Sequence, residues 1–128
     1  EVKMSKILIV EDHADIRRLI RMTLDFADVG SEVHEAADGR AGLVAARAMQ
    51  PDVVLLDVMM PGGVDGLDLC RELRADPALQ GTNVVMLSAL GSAVDREAGL
   101  SAGAQAYLVK PFSPLQLLET IGELPLAA

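Results

Sequence analysis

The feature that most restricts the fold of this chain is a fivefold alternation of short apolar runs with longer amphipathic segments. Apolar runs rich in Val and Ile predict strands at residues 6–10, 31–36, 52–56, 83–87 and 106–109. Apolar residues recur at helical spacing in the segments that follow them, at 16–27, 39–49, 65–75, 92–102 and 113–124. Such a repeat predicts an α/β fold, in which right-handed crossovers place helices on both faces of a parallel sheet.

The alternation occupies residues 4–124, which we interpret as one domain. Residues 1–3 precede a methionine and are interpreted as a cloning remnant or as the tail of an upstream sequence, and residues 125–128 as a short C-terminal tail. The sequence contains neither an apolar run of membrane-helix length nor the pattern of a signal peptide. We therefore expect a cytoplasmic protein without membrane attachment.

The net charge restricts the classes of partner, and the single cysteine has a structural interpretation. The net charge of −8, with Lys and Arg scattered along the chain, argues against non-specific binding to nucleic acid or to anionic membranes, because both need a basic surface. The single cysteine, Cys70, lies between Leu69 and Leu73 on one predicted helix face. It is interpreted as a buried core residue without a redox role.

Polar side chains stand where the predicted strands end. Glu11 and Asp12 follow the first strand, Asp57 the third, Ser88 the fourth and Lys110 the fifth. Sites in open α/β sheets collect beyond the carboxyl ends of the strands, so we expect these five residues to meet at one edge. A carboxylate buried without a partner is costly, and Asp57 directly follows an apolar run, so a use for it is expected there.

The chemistry that these residue types favour is phosphoryl transfer. Three carboxylates at one edge repel each other unless a cation joins them, and hard oxygen ligands suit Mg²⁺. The ammonium of Lys110 and the hydroxyl of Ser88 could bind phosphoryl oxygens. Asp57 is then a candidate nucleophile, because a carboxylate can form an aspartyl phosphate.

Four short motifs, ILIVEDH, LLDVMMPG, LSA and LVKPF, together resemble in order and spacing the receiver domain of two-component response regulators, including chemotaxis regulators. The resemblance spans almost the whole chain. It implies a flavodoxin-like, doubly wound sheet of five parallel strands in the order 2-1-3-4-5, with five helices. It further implies a signalling phosphoacceptor and not an enzyme, one that assists its own phosphorylation and its slow dephosphorylation.

Matched by position, the resemblance implies that Asp57 is the phosphoacceptor and that Glu11 and Asp12 are the metal-binding pair. The backbone carbonyl of Met59 would complete the protein ligands of Mg²⁺. The phosphoryl donor would be a phosphohistidine on a sensor histidine kinase or a histidine phosphotransfer protein. The output would pass to a downstream protein target.

The resemblance assigns the remaining site residues in the same way. Ser88 and Lys110 would bind the phosphoryl group, and Ala89 would be the small residue where that group enters. The peptide bond between Lys110 and Pro111 would be cis. Tyr107 would be the switch aromatic that turns inward on phosphorylation, and the fourth helix, fifth strand and fifth helix would form the signalling face.

The sequence departs from the family pattern in one loop. The second acid of the D-x-x-M-P-G-x-D-G pattern normally lies seven positions after the phosphoacceptor, whereas Asp65 lies eight after Asp57. The added residue falls in the loop Gly62–Asp65, where we expect changed loop dynamics and partner contacts but intact chemistry. The resemblance also implies that rapid hydrolysis of a phosphoaspartate goes with water-orienting polar groups two positions after Asp57 and two after Ser88. Apolar Met59 and Leu90 stand there, so we expect slow hydrolysis.

The two histidines carry no predicted role. His13 is interpreted as a solvated first-turn residue, and His34 as an outward residue on the second strand, both without metal-ligand neighbours.

Alternatives to a working receiver make different demands on the sequence. A haloacid-dehalogenase-type phosphatase also uses a strand-end aspartate but needs a second acid two residues on, where Met59 stands. A flavodoxin would need a hydroxyl-rich first loop and aromatic residues around the flavin, and the loop EDHAD offers neither. A third alternative is a degenerate receiver that acts only as a phosphorylation-independent interaction module. An assay of phosphorylation distinguishes it from a working receiver.

Overall fold

The computed structural model describes residues 6–28, 32–60 and 65–124, in which five strands alternate with five helices. The strands are β1 (Lys6–Val10), β2 (Glu32–Ala36), β3 (Val53–Asp57), β4 (Asn83–Ser88) and β5 (Ala106–Val109). The helices are α1 (Ala14–Phe26), α2 (Gly39–Met49), α3 (Gly66–Ala75), α4 (Ala93–Ser101) and α5 (Pro114–Gly122). A short 3-10 helix, Pro77–Leu79, precedes β4 and was not predicted.

All paired strands are parallel and lie in the order β2-β1-β3-β4-β5, as predicted. Val10 of β1 pairs with Leu56 of β3, and Asp57 pairs with Leu87 of β4. Strand order reverses between β1 and β3, so the loops that leave these two strands diverge above their carboxyl ends. This divergence opens the crevice in which doubly wound folds place their sites.

The apolar runs are continuous because the sheet is covered on both faces. Ile7 and Ile9 of β1 pack with α1 and α5, represented by Ile20 and Leu117. The alternate residues of the same strand, such as Leu8, belong to the opposite core with α2 and α3. Alternation of side chains across a strand thus sends successive apolar residues into two separate cores.

Side-chain caps explain where most of the helices begin. The side chains of Asp38, Asp65, Ser92 and Ser113 each accept a backbone N–H three residues on, at the starts of α2, α3, α4 and α5. At the start of α5, Gln116 completes a capping box with Ser113. Helices expected from residues 65 and 92 therefore begin one residue later, after their caps.

Other expectations are confirmed or lie outside the described residues. Cys70 is buried in a core cluster, as predicted. Within residues 6–28, 32–60 and 65–124, no helix combines the length and the apolarity needed to cross a bilayer. The structure does not describe residues 1–5, 29–31, 61–64 and 125–128. Four predictions therefore lie outside the described residues: the domain start at residue 4, the two tails, the strand start at residue 31 and the lengthened loop.

Candidate functional site

Three carboxylates meet at the carboxyl ends of β1 and β3, as their positions in the sequence predicted. Glu11 and Asp57 are almost fully buried, whereas the Asp12 side chain is 24% exposed. One ligand atom from each of them and one from His13 all lie within 4.8 Å of one another. Pairing of β1 with β3 produces this cluster, because it places the residue after Val10 beside the last residue of β3.

Lys110 reaches this cluster from the end of β5. Its Nζ atom donates a hydrogen bond to Oε1 of Glu11 at 2.8 Å and lies 3.3 Å from Oδ1 of Asp57. Its backbone N–H donates to the carbonyl of Ser88 at 2.7 Å, which joins the ends of β4 and β5. The bond between Lys110 and Pro111 is cis, as the family resemblance implied.

Burial and neighbouring charges shift the pKa values of the two buried carboxyl groups in opposite directions. Burial raises the pKa of Asp57 to about 6, and the negative charge of Glu11 adds to the rise, while Lys110 and the Met59 N–H oppose it. Burial also acts to raise the pKa of Glu11, but the hydrogen bond from Lys110 and the N–H of His13 outweigh it, so the pKa of Glu11 is lowered. Of the two buried carboxyl groups, Asp57 is therefore the one whose negative charge the surrounding residues stabilise less.

The cluster fits a hard divalent cation. Oδ1 of Asp12 is buried and has no hydrogen-bond partner among the described residues, which leaves a carboxylate oxygen available beside Glu11 and Asp57. The backbone N–H of Met59 donates to Oδ1 of Asp57 at 3.2 Å, so the loop after β3 is held against this carboxylate. Clustered carboxylate oxygens with a free lone pair are the donor set that Mg²⁺ takes in proteins.

Ser88 and Ala89 stand next to the cluster at the end of β4. Ser88 is buried, and its Oγ accepts the backbone N–H of Leu90 at 3.0 Å. Ala89 is exposed and, together with Lys110, lines an open cavity of about 350 Å³. The predicted hydroxyl and small residue are thus both at the carboxyl edge of the sheet.

Tyr107 lies on β5, away from the acidic cluster and against α4. Its hydroxyl donates to the backbone carbonyl of Leu90 at 2.6 Å, and the Arg96 guanidinium carbon lies 5.8 Å from the ring centroid. A Cβ atom on Gly99 would lie 2.8 Å from the ring, so the absence of a side chain there makes room for it. These contacts link Tyr107 to the segment that begins at Ser88.

The structure corrects the interpretation of His13. Nδ1 of His13 lies 3.2 Å from Oε2 of Glu11 and 3.3 Å from Oδ1 of Asp12, so the residue does have metal-ligand neighbours. The prediction that it lacked them was wrong because the sequence does not show in which direction a side chain at the start of a helix points. His34 is exposed on β2, and its Nε2 lies 2.8 Å from Oε2 of Glu32.

Gly66 contributes to the site, although sequence reasoning gave it no role. A Cβ atom there would lie 2.4 Å from the backbone oxygen of Asp57 and 2.6 Å from Cα of Val58. The first turn of α3 therefore packs directly on the backbone that presents Asp57. The signal in the sequence was a glycine placed immediately after the Asp65 cap, where helices gain nothing from glycine.

Fold and site together define a class of protein, the flavodoxin-like α/β proteins that carry a carboxylate and lysine cluster at the carboxyl edge of a 2-1-3-4-5 sheet. Within that class the chain belongs to the response regulators of two-component signalling. The family model described as the response regulator receiver domain matches residues 7–122.

Individual relatives agree with this assignment. The chain is 44% identical over 117 residues to the probable transcriptional regulator ycf27 of Cyanophora paradoxa, covering 91% of this chain and 46% of that protein. It is 40% identical over 114 residues to the transcriptional regulatory protein ResD of Bacillus subtilis, covering 89% of this chain and 45% of that protein. The chain thus spans about half the length of the curated relatives it matches.

Solved structures give the same result for the fold. The chemotaxis protein CheY4 of Vibrio cholerae superposes with a TM-score of 0.86 at 36% identity, covering 94% of this chain and 98% of CheY4. The BeF3-activated receiver domain of RstA from Klebsiella pneumoniae superposes with a TM-score of 0.81 at 33% identity, covering 91% and 95% of the two chains.

Proposed function

We propose that this receiver domain takes a phosphoryl group from a phosphohistidine onto Asp57 in an Mg²⁺-dependent reaction. The donor is a sensor histidine kinase or a histidine phosphotransfer protein. The observation that carries the proposal is the position of Asp57, buried at the end of a central strand with Nζ of Lys110 3.3 Å from its carboxylate. A carboxylate with that partner and with an acidic pair beside it suits phosphoryl transfer.

In the proposed step, a carboxylate oxygen of Asp57 attacks phosphorus in line with the bond to the donor imidazole. The new O–P bond forms while the N–P bond breaks, and the electron pair of that bond stays on the departing imidazole nitrogen. Phosphoryl transfer of this kind needs positioning and charge neutralisation more than covalent assistance. The buried carboxylate supplies a nucleophile whose position the Met59 N–H holds.

Glu11, Asp12, Asp57 and the backbone carbonyl of Met59 would hold the Mg²⁺ ion. When bound, Mg²⁺ neutralises charge on the phosphoryl oxygens and on the carboxylates. Oδ1 of Asp12 supports this assignment, because it is buried, makes no hydrogen bond to the described residues and has the His13 ring 3.3 Å away, and a buried oxygen without a hydrogen bond is costly unless a cation uses it.

Lys110 and Ser88 are proposed to bind the phosphoryl group once it is on Asp57. Lys110 now divides its ammonium between Glu11 and Asp57, so a phosphoryl oxygen would offer it a new anionic partner. Ser88 would exchange the bond from the Leu90 N–H for donation of its hydroxyl to a phosphoryl oxygen. Ala89 leaves the approach to them free of a bulky side chain.

The proposed output is a population shift of the surface formed by α4, β5 and α5. The Leu90 backbone connects both ends of this switch, because its N–H donates to Ser88 and its carbonyl accepts from Tyr107. Movement of Ser88 toward a phosphoryl group would therefore pull on the segment that holds the Tyr107 ring. Phosphorylation would favour a conformation that the free domain already samples.

The remaining parts of the proposal concern the setting of the domain. It acts as a cytoplasmic signalling phosphoacceptor and not as an enzyme, assisting only its own phosphorylation and slow dephosphorylation. Its output passes to a protein target without direct contact of this domain with nucleic acid, since the net charge of −8 opposes such contact. The relatives named above are transcriptional regulators, and this chain covers 46% and 45% of their lengths.

The test is intact-mass spectrometry after incubation with acetyl phosphate, which supplies a phosphoryl group without a kinase. We expect one added phosphoryl group on the wild-type chain with Mg²⁺, and none with a chelator. Asp57→Asn should give no adduct because the amide lacks the nucleophilic oxygen. Asp52→Asn, a change at an acid beside the opposite end of the same strand, is the matched control and should be phosphorylated normally.

Two results would overturn the proposal. An adduct that persists in Asp57→Asn would move the acceptor to another residue. A folded wild-type protein that gains no phosphoryl group with Mg²⁺ would identify a degenerate receiver that acts as an interaction module.

A further inference from the structure

We propose that His13 is a nitrogen ligand of the divalent cation in this site, which strengthens binding of first-row transition ions such as Zn²⁺ without strengthening that of Mg²⁺. The inference deepens the proposed function, because it uses the same carboxylates, and it rests on that function only for the Mg²⁺ comparison. No other described histidine lies near the acidic cluster of Glu11, Asp12 and Asp57.

The geometry places the imidazole among ligand atoms that already face each other. Nδ1 of His13 lies 3.2 Å from Oε2 of Glu11 and 3.3 Å from Oδ1 of Asp12. With metal bonds of roughly 2.0–2.2 Å, neighbouring ligand atoms of a tetrahedral zinc site lie about 3.3–3.6 Å apart. The two distances from Nδ1 are therefore close to those between ligands of one ion.

The partners of the two Glu11 oxygens leave this side of the cluster available. Oε1 of Glu11 accepts from Lys110, whereas Oε2 accepts from the backbone N–H of His13 and lies 3.2 Å from Nδ1 of its ring. Oδ1 of Asp12 has no hydrogen-bond partner in the same part of the chain. An ion at the His13 side would thus meet two carboxylate oxygens and a nitrogen without displacing the ammonium of Lys110.

The His13 ring is also free to adjust. It occupies the N-cap position of α1, yet its side chain makes no capping hydrogen bond, and the side chain is 66% exposed. Imidazole nitrogen suits Zn²⁺, Co²⁺ and Ni²⁺, while Mg²⁺ favours carboxylate, carbonyl and water oxygens. Loss of the nitrogen should therefore weaken transition ions and spare Mg²⁺.

A plain hydrogen bond between His13 and the carboxylates is the competing explanation, and a matched pair of variants separates the two. His13→Asn keeps an N–H donor close to the position of Nδ1 but removes the imidazole lone pair. His34→Asn makes the same change at the other histidine of the chain, which lies on β2 beside Glu32. It controls for adventitious binding of zinc to a surface histidine.

The experiment combines isothermal titration of Zn²⁺ and Mg²⁺ with nitrogen-detected NMR of the two imidazole rings. We expect Zn²⁺ affinity to fall on the order of tenfold or more in His13→Asn. Mg²⁺ affinity should change by less than about threefold, since Mg²⁺ favours oxygen ligands. The His34→Asn variant should match the wild type for the tightest Zn²⁺ site. On addition of one equivalent of Zn²⁺, Nδ1 of His13 should shift as a metal-bound nitrogen.

The outcomes separate this inference from the proposed function. Equal Zn²⁺ affinity in wild type and His13→Asn, or an unshifted His13 ring, would overturn the inference while Mg²⁺ binding still supported the receiver chemistry. Zn²⁺ bound through His13 in a protein that takes no Mg²⁺ would support the inference and contradict the Mg²⁺ part of the proposed function. Loss of Zn²⁺ binding in His34→Asn would place the ion elsewhere and overturn the inference.

Discussion

Met59 and Leu90 present apolar side chains next to the proposed phosphoacceptor, Asp57. They line one open cavity of about 470 Å³ together with Asp65, and 61% and 43% of their surfaces are exposed. Each stands two positions after a proposed site residue, Asp57 or Ser88. A hydrolytic water at this side of a phosphoaspartate would find no side-chain hydrogen-bond partner on either residue, which supports slow dephosphorylation.

Replacing both residues with polar ones should shorten the lifetime of the phosphoaspartate. We expect Met59→Asn with Leu90→Glu to hydrolyse roughly tenfold or more faster, since a positioned polar group orients or activates water. The measurement is loss of the phosphoryl mass over time after removal of the donor. Val44→Glu, the same kind of change at an exposed apolar residue of α2, is the control and should leave the rate unchanged. An unchanged rate in the double variant would contradict the role assigned to the two side chains.

At the scale of elements, the site depends on how closely α3 approaches the end of β3. The backbone N–H of Gly66 donates to the carbonyl of Val58 at 2.8 Å, so helix and strand end are joined directly. Any Cβ at Gly66 would meet backbone atoms of Asp57 and Val58 that a rotamer change cannot move. Gly122 of α5 differs, because, apart from its chain neighbours and the backbone of its own helix, no atom of the described residues lies within 4 Å of the position that a Cβ would take there.

These two glycines provide a matched pair for one substitution. Gly66→Ala should lower the free energy of unfolding by about 1–3 kcal/mol, because α3 must shift away from the strand. It should also slow phosphorylation, since the shift displaces Asp57. Gly122→Ala should raise stability by about 0.4–1 kcal/mol through the unfolded state. Urea denaturation and the acetyl phosphate assay measure both effects, and a Gly66→Ala protein as stable and active as wild type would refute the close packing.

At the scale of the whole molecule, two buried carboxyl groups at one edge of the sheet affect the stability of the folded protein. Glu11 and Asp57 share the ammonium of Lys110, but burial, with the negative charge of Glu11 adding to its effect, still raises the pKa of Asp57. The folded protein binds a proton at Asp57 more tightly than the unfolded chain does, since the pKa rises from 3.8 to about 6. Folding stability from this group is therefore present below pH 4 and is lost as pH rises through about 6.

Asp57→Asn should consequently stabilise the metal-free protein at neutral pH. In chelator at pH 7.5 we expect the variant to be more stable than wild type by the order of 1–3 kcal/mol, which follows from about 1.4 kcal/mol per pKa unit. The difference should shrink at pH 4.5, where Asp57 is mostly protonated. Thermal unfolding at the two pH values measures this, with the exposed Asp25→Asn as control. A stability difference that does not depend on pH would contradict the electrostatic argument.

Because the carboxylates repel each other, we expect a bound cation to stabilise the fold. Added Mg²⁺ should raise the unfolding temperature of wild type more than that of Asp57→Asn in the same scans, because the ion relieves a repulsion that the amide no longer has.

The sequence by itself determined the class of fold and indicated most residues of the candidate site. Alternating periodicities are local, so they predicted five strands and five helices, with ends displaced by about one residue where a cap such as Asp65 or Ser92 stands outside its helix. The short 3-10 helix Pro77–Leu79 carried no such periodicity and was not predicted. Glu11, Asp57 and Lys110 each follow or end a predicted strand. Their meeting at one edge followed from the parallel sheet, because the carboxyl ends of its strands share one edge.

Only the tertiary structure decided how those residues interact. Lys110 and Glu11 are 99 positions apart in the chain, and their 2.8 Å hydrogen bond depends on strand order, on register and on the turn of two side chains. The same holds for the direction of the His13 ring, which turns Nδ1 toward Oδ1 of Asp12, and for the approach of Gly66 to the Asp57 backbone. A pKa, a ligand set and a close contact are set by distances between atoms, and a sequence pattern specifies the order of residues but not those distances.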